Sequence, residues 1–212
     1  TVALTQLDVV TLADTGANIA TLSAAQFGAL ASKGVDQINA SNDILSLAVD
    51  QYLALIATTT LLTAADEVTL KDTGANIATL SSAQIGALAG NNVDKIDASN
   101  DALSLTVAQY LALIATTTTL TTADVVTLKD TGANIAALSD VQLGLLASKG
   151  VDVIDASDNL LSLSVAQYLA IAATACSFTS NDAITIVDTG ANIGALSPTQ
   201  LAGLRSEERR VG

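Results

Sequence analysis

The sequence predicts an α/β fold: a right-handed α/β solenoid of strand–turn–helix half-repeats, with a parallel sheet on one face and helices on the other. Three observations predict it. The string DTGANI begins at Asp14, Asp72, Asp130 and Asp188, a constant 58-residue period, and the register runs without insertion from Thr1 to Leu204. Each unit divides into a 25-residue and a 33-residue half, because a shift of 25 lays Asp72, Leu80, Ala83, Gln84 and Leu88 onto Asp97, Leu105, Ala108, Gln109 and Leu113. Half of the 212 residues are apolar. A segment this short cannot bury its own apolar face, whereas stacked copies can. Strands joined by helical crossovers run parallel and connect right-handedly.

The local signals of a half-unit follow in chain order. A short β-branched run comes first, Val68-Thr69-Leu70 in one half and Val93 with Ile96 in the other, the length of a strand. A turn rich in Asp, Gly, Asn and Ser follows, DTGAN or DASND, as turn chemistry requires. A helix then opens on a capping box, the copies being Ser23…Gln26, Ser81…Gln84, Thr106…Gln109, Ser139…Gln142, Ser164…Gln167 and Ser197…Gln200. The hydroxyl and the amide three residues on satisfy two orphan backbone N–H groups reciprocally. Pro198 occupies the first helical position, where its missing N–H does no harm. Val107, Tyr110, Leu111 and Ile114 make the apolar helix stripe. Ala at the remaining positions permits close packing between units. Gly34, Gly150 and, in their place, Asn92 stop the helices in the left-handed region. The count is seven strands and seven helices in one array of about three and a half copies, residues 1–204.

Composition excludes several functions. There is no His, Met or Trp, and the formal charge is −13. An imidazole base or His metal ligand is thus absent, and the charge repels nucleic acid and anionic lipid. The single cysteine, Cys176, allows neither an internal disulfide nor a thiolate cluster. Residues 102–123 and 159–181 are uncharged and reach the roughly 20 residues of a bilayer span. Both are full of Ser, Thr, Asn and Gln with a capping box inside, so membrane insertion is not expected.

Three motifs carry candidate chemistry. DTGA resembles the signature of retroviral-type aspartic proteases, in which two aspartates share a proton to activate water. Four copies in a linear array, with Lys71 and Lys129 before Asp72 and Asp130, favour a turn in which Asp caps backbone donors and Gly supplies positive φ. The second motif is acidic: Asn39, Asn42 and Asp43; Asp97, Asn100 and Asp101; Asp155, Asp158 and Asn159. Clustered carboxylate and amide oxygens suit Ca²⁺, which makes Asp97, Asp101, Asp155 and Asp158 calcium candidates. The EF-hand and glycine-rich nonapeptide spacings are both missing, and 18 of the 19 acids in the array are Asp, so turn capping is favoured. The third is the Thr cluster, Thr58–Thr60 and Thr116–Thr119; ordered threonine rows on a flat β face bind ice, but these occur only once per repeat. Cys176 takes the place of Thr118 without any His to activate it.

Counted from Val68 as position one, Asn76 falls at nine, as does Asn159 counted from Val151; Asp101 and Asp43 take that place elsewhere. This is similar in shape to the leucine-rich-repeat horseshoe, whose buried Asn stands there. The 58-residue period with DTGANI and VAQYLAL resembles tandem repeats of large bacterial secreted or cell-surface, adhesin-like proteins. That resemblance, over residues 1–204, implies an extracellular stalk or binding surface. The expected function is a non-catalytic structural or adhesive repeat segment, since no non-repeating constellation suits catalysis. The alternatives are a protein- or glycan-binding horseshoe using Thr69, Lys71, Asp94 and Lys95 with their equivalents, and a calcium-stiffened array. No cofactor other than Ca²⁺ is suggested. The end units lack polar caps, so end-to-end self-association is expected. Residues 205–212, RSEERRVG, hold all three arginines and have no counterpart in the repeat. They resemble the conceptual translation of a sequencing-library adaptor.

Overall fold

The structure, a computed structural model, describes residues 8–202; the 205–212 tail lies outside them. The chain divides into two compact units, Thr1–Asp101 with Ala112–Asp124, and Ala102–Leu111 with Val125–Gly212. Both are α/β, with parallel sheets and short helices and no closed barrel.

The first unit opens with β1 (Thr11–Asp14), α1 (Gly16–Ile19) and α2 (Ala24–Ala29), then a 3₁₀ turn at Ala31–Lys33. β2 (Gln37–Ala40), β3 (Ile44–Leu47), α3 (Val49–Ile56), β4 (Leu61–Leu62) and β5 (Glu67–Asp72) follow. Next come α4 (Gly74–Ile77), α5 (Ser82–Gly86), a 3₁₀ turn at Ala89–Asn91 and β6 (Lys95–Ala98). β7 (Ala102–Leu105), α6 (Val107–Ile114), β8 (Thr119–Leu120) and β9 (Val125–Asp130) continue the chain. The second unit adds α7 (Gly132–Ala136), α8 (Asp140–Gly144), a 3₁₀ turn at Ala147–Lys149, β10 (Val153–Ala156), β11 (Leu160–Leu163) and α9 (Val165–Ala172). It closes on β12 (Ser177–Phe178), β13 (Ala183–Ile186) and α10 (Gly190–Gly194).

In the first unit the sheets run β1-β2-β4 and β3-β5-β6-β8; in the second they run β7-β9-β10-β12 and β11-β13. Every pairing is parallel. In place of the expected single sheet there are four, and inside two of them one long strand bridges its neighbours in staggered register. Glu67–Leu70 of β5 pair with β3 on one side, while Thr69–Asp72 pair with β6 on the other. β9 does the same with β7 and β10.

Strand number is the main departure from the sequence reading. Each DASND-type turn is flanked by two strands, and the two-residue strands β4, β8 and β12 add three more, giving thirteen strands among the described residues. Asp43, Asp101 and Asn159 hold φ at 57°, 54° and 58°, a conformation Asn and Asp tolerate better than most residues. The chain then re-enters an extended run, ILSL, ALSL or LLSL, whose alternate Leu residues are buried. DTGAN is likewise no simple turn, since GANI winds one helical turn whose N-cap Thr side chain accepts the Asn N–H.

The helix stops and capping boxes are as expected, whereas the α6 stripe and the horseshoe Asn are not. Gly34, Asn92 and Gly150 sit at φ 78°, 57° and 83° after the 3₁₀ turns. Ser23, Ser81, Ser139 and Ser164 form full capping boxes, and the Thr106–Gln109 and Ser197–Gln200 bonds are also made. The buried stripe of α6 is Val107, Tyr110 and Leu113, with Leu111 and Ile114 only partly covered. Gly28 and Gly144 face the Ala54 and Ala170 methyls at Cβ distances of 3.8 and 3.9 Å; small residues there let α2 and α3, and α8 and α9, pack closely. The horseshoe's buried Asn is not reproduced, because Asn76, Asn159, Asp43 and Asp101 are exposed.

Candidate functional site

Asp14, Asp72 and Asp130 end their strands, Asp188 lies two residues past β13, and all four work as acceptors. In Asp72, Oδ1 accepts the Thr73 N–H and Asn76 Nδ2, both at 2.7 Å, while Oδ2 accepts the Val49 N–H at 3.1 Å. Asp130 repeats this with Thr131, Asn134 and Val107, and Asp188 with Thr189, Asn192 and Val165. Asp14 makes the two local bonds, to Thr15 and Asn18. Burial pushes the Asp72 and Asp130 carboxyls up, but their three hydrogen bonds outweigh it and hold them below the ordinary value. The Thr189 N–H and Asn192 do the same for Asp188, and Asn18 and the Thr15 N–H for Asp14. A proton-sharing dyad needs one carboxyl raised, so these groups have the wrong polarity of shift.

The glycine of the motif has a different duty from the expected one. Positive φ occurs at neither Gly16 nor Gly132. A Cβ on Gly16 would stand 1.8 Å from the Ile44 carbonyl oxygen, and one on Gly132 1.6 Å from that of Leu160. Gly is required because the backbone of the next strand layer lies against it. The Gly16, Gly74 and Gly132 N–H groups donate to Asn42, Asn100 and Asp158 Oδ1 at 2.8, 2.8 and 2.9 Å.

The calcium candidates are dispersed among other partners. Asp97 and Asp155 pair with Lys71 and Lys129, both at 2.6 Å. The Gly132 N–H holds the Asp158 carboxyl low. Asp101 occupies the turn and donates its N–H to the Ala98 carbonyl. Among the described residues no group of three or more acidic, Cys or His side chains is placed to hold a metal.

Sequence reasoning missed three buried aspartates, one per repeat: Asp66, Asp124 and Asp182, which are 4%, 5% and 3% exposed. Their Oδ2 atoms accept the buried N–H groups of Ala40, Ala98 and Ala156 at 3.0 Å. β4, β8 and β12 are only two residues long, so the ladder ends before reaching those alanines, and a carboxylate replaces the missing carbonyl. Thr63 and Thr121 hydroxyls also donate to Asp66 and Asp124, both at 2.7 Å. The signal was the recurring Thr-x-x-Asp before each longer strand. Asp36, Asp94 and Asp152 play a matching part, accepting the Val10, Val68 and Val126 N–H groups.

In the Thr clusters, Thr58, Thr60, Thr116 and Thr118 fasten backbone carbonyls, while Thr59, Thr117 and Thr119 are exposed. Thr60 and Thr118 are buried, and their hydroxyls donate to the Val35 and Val93 carbonyls at 2.7 and 2.9 Å. Cys176 puts its Sγ on the Val151 carbonyl at 2.9 Å, and burial pushes its thiol up, which lowers its thiolate fraction. On the outward sheet face, Lys95 pairs with Glu67 at 2.8 Å and Lys71 with Asp97, so the charges largely neutralise one another. Thr69 is half-buried, and Asp94 is committed to Val68. In the first unit a pocket of about 150 Å³ lies between Leu55, Thr58, Leu62 and Asn91, below the roughly 300 Å³ at which ligand sites begin. No helix among the described residues is long and apolar enough to cross a membrane.

Recurring Asp and Asn side chains of each unit are thus spent on backbone groups of the neighbouring layer. No family model, curated protein sequence or solved structure matches this chain.

Proposed function

We propose that this chain is a non-catalytic structural and adhesive repeat segment of a large extracellular bacterial protein, built as a right-handed α/β solenoid. The observation that carries the reading is the identical work done by equivalent acids. Asp66, Asp124 and Asp182 each cap one alanine N–H, and Asp36, Asp94 and Asp152 each cap one valine N–H. Side chains consumed in joining layers supply cohesion in place of an activated nucleophile or base among the described residues. The bacterial, extracellular setting rests on the resemblance of the repeat, and the scarcity of cysteine is compatible with it.

The test is a chain lengthened by one further copy of the repeat. Layers sharing a continuous interior gain stability with copy number, so the denaturation midpoint rises; separate globules leave it unchanged, and that result refutes the reading.

A second reading, a protein-binding strand face, draws on one observation. Ile44 and Leu61 in the first unit, and Val125 and Leu160 in the second, point outward from strands at more than half exposure. Exposed apolar groups on a polar face mark contact sites when they cluster. Val125→Asp with Leu160→Asp abolishes adhesion of the chain to its target surface if that face binds, and leaves it intact if the face is merely outward.

A further inference from the structure

The repeat departs from itself at three consecutive positions. Ser32-Lys33-Gly34 and Ser148-Lys149-Gly150 close the first and third 3₁₀ turns, whereas the second closes on Gly90-Asn91-Asn92. None of these changes helps the turn itself. The Ser32 and Ser148 hydroxyls donate to the Ala29 and Leu145 carbonyls at 2.7 and 2.8 Å, a bond that Gly90 cannot make. A Cβ on Gly90 would meet nothing within 4 Å, so no neighbour requires a glycine there. Asn91 removes the cation that Lys33 and Lys149 carry in the last turn, where positive charge is favourable. Asn92 takes the left-handed place at φ 57° that glycine fills in the other copies, a conformation that costs Asn more than Gly.

All three residues line the pocket of about 150 Å³ in the first unit. Asn91 Nδ2 donates to the Ala87 carbonyl at 2.9 Å and to the Tyr52 hydroxyl at 3.3 Å, and Asn92 Nδ2 donates to the Leu62 carbonyl at 2.7 Å. These bonds fix both amides by their nitrogens, and neither amide oxygen accepts a hydrogen bond among the described residues. Thr58 and Thr60, also in the lining, already donate to the Leu55 and Val35 carbonyls. The rest of the wall is aliphatic, with Leu62 buried and Leu61 60% exposed, and no charged side chain lines it.

We propose that this pocket binds one neutral pyranose ring of a sugar. It is too small for a drug-sized ligand, but a cavity of about this volume accepts a six-carbon ring. Amide oxygens without a donor select a ligand that brings donors, as hydroxyl groups do. The aliphatic wall takes the C–H face of the ring. An uncharged lining offers nothing to compensate a carboxylate or an ammonium group. An aliphatic side chain would leave both amide oxygens unmet. One ring held in this way binds with a Kd on the order of 1 mM.

The inference rests on the adhesive part of the reading above and supplies its ligand class. The methyl glycosides of glucose, galactose and mannose are titrated into the full chain and followed by NMR. At least one produces saturable shifts of the Asn91 and Asn92 side-chain amides and of the Leu61 N–H. Gly90→Ser with Asn91→Lys and Asn92→Gly installs the triplet that the first and third turns already use, so this variant folds and its thermal midpoint stays at or above the parent's. It weakens binding by about tenfold or more, the loss of two hydrogen bonds. Retention of the chain on a matrix carrying the bound sugar, released by the free glycoside, assigns the ring to a glycan; shifts without retention assign it to a free sugar. Absence of shifts with all three glycosides up to about 100 mM, well past the expected Kd, overturns the inference. So does equal binding by the variant, or tighter binding of glucuronate or glucosamine than of the neutral sugars. If the chain lengthened by one repeat gains no stability, the layered reading fails; if it gains stability while no sugar binds, only the ligand of the pocket is lost.

Discussion

Gly132→Ala puts the layer-on-layer contact to a quantitative test. The added Cβ lies 1.6 Å from the Leu160 oxygen, 2.8 Å from its carbonyl carbon and 3.3 Å from Asp158 Oδ1. Two of these three are backbone atoms of β11, so relief requires α7 and β11 to separate. Overpacking of this kind costs about 1–3 kcal/mol. Separation also breaks the 2.9 Å bond from the Gly132 N–H to Asp158, and a hydrogen bond to a charged group is worth about 1.5–3 kcal/mol. The expected loss is therefore about 3–5 kcal/mol, against a gain of up to about 1 kcal/mol from the better helix propensity of Ala. Equilibrium urea unfolding reads it: with a slope of about 2 kcal/mol per molar, the midpoint falls by roughly 1–2 M. Gly190→Ala, with open space at its Cβ, keeps or raises the midpoint. A Gly132→Ala midpoint within about 0.2 M of the parent would mean that the strand layer does not lie against this glycine.

Three further outcomes are expected. Asp124→Ala strands the buried Ala98 N–H and costs about 1–3 kcal/mol in urea unfolding; Asp124→Asn keeps an acceptor and loses less, and an equal loss in both variants would show that the bond to Ala98 carries no stability. The Asp130 carboxyl, raised by burial but lowered further by Asn134, Val107 and Thr131, sits below its reference of 3.8. The unfolded chain then binds more protons, so this contribution is complete above pH about 4 and is lost as pH falls through the folded value. Asn134→Ala brings the folded value back toward the reference, so the acid-unfolding midpoint by circular dichroism moves to higher pH; an unchanged midpoint contradicts the assignment. Lys71→Ala breaks an exposed ion pair and changes stability by less than about 1 kcal/mol, and a larger loss would give the surface lysines a structural weight denied to them here.

The sequence by itself determined the repeat, the class of its elements and their stops, because these are local matters. A Ser with a Gln three residues on closes a capping box within one turn, and Gly34 or Asn92 ends a helix through its own φ. It also made catalysis by an imidazole impossible, through the absence of His. Tertiary structure decided what the acids and the DTGA glycine are for. Asp66 reads as one more turn residue until Ala40, far back in the chain, presents an N–H beyond the end of a two-residue strand. Gly132 reads as a turn glycine until the Leu160 carbonyl is found pressed against it. The second strand of each pair was hidden for the same reason. ILSL becomes extended only because β5 lies alongside to receive it, and a bond between residues so distant in sequence leaves no mark on the pattern of either one alone.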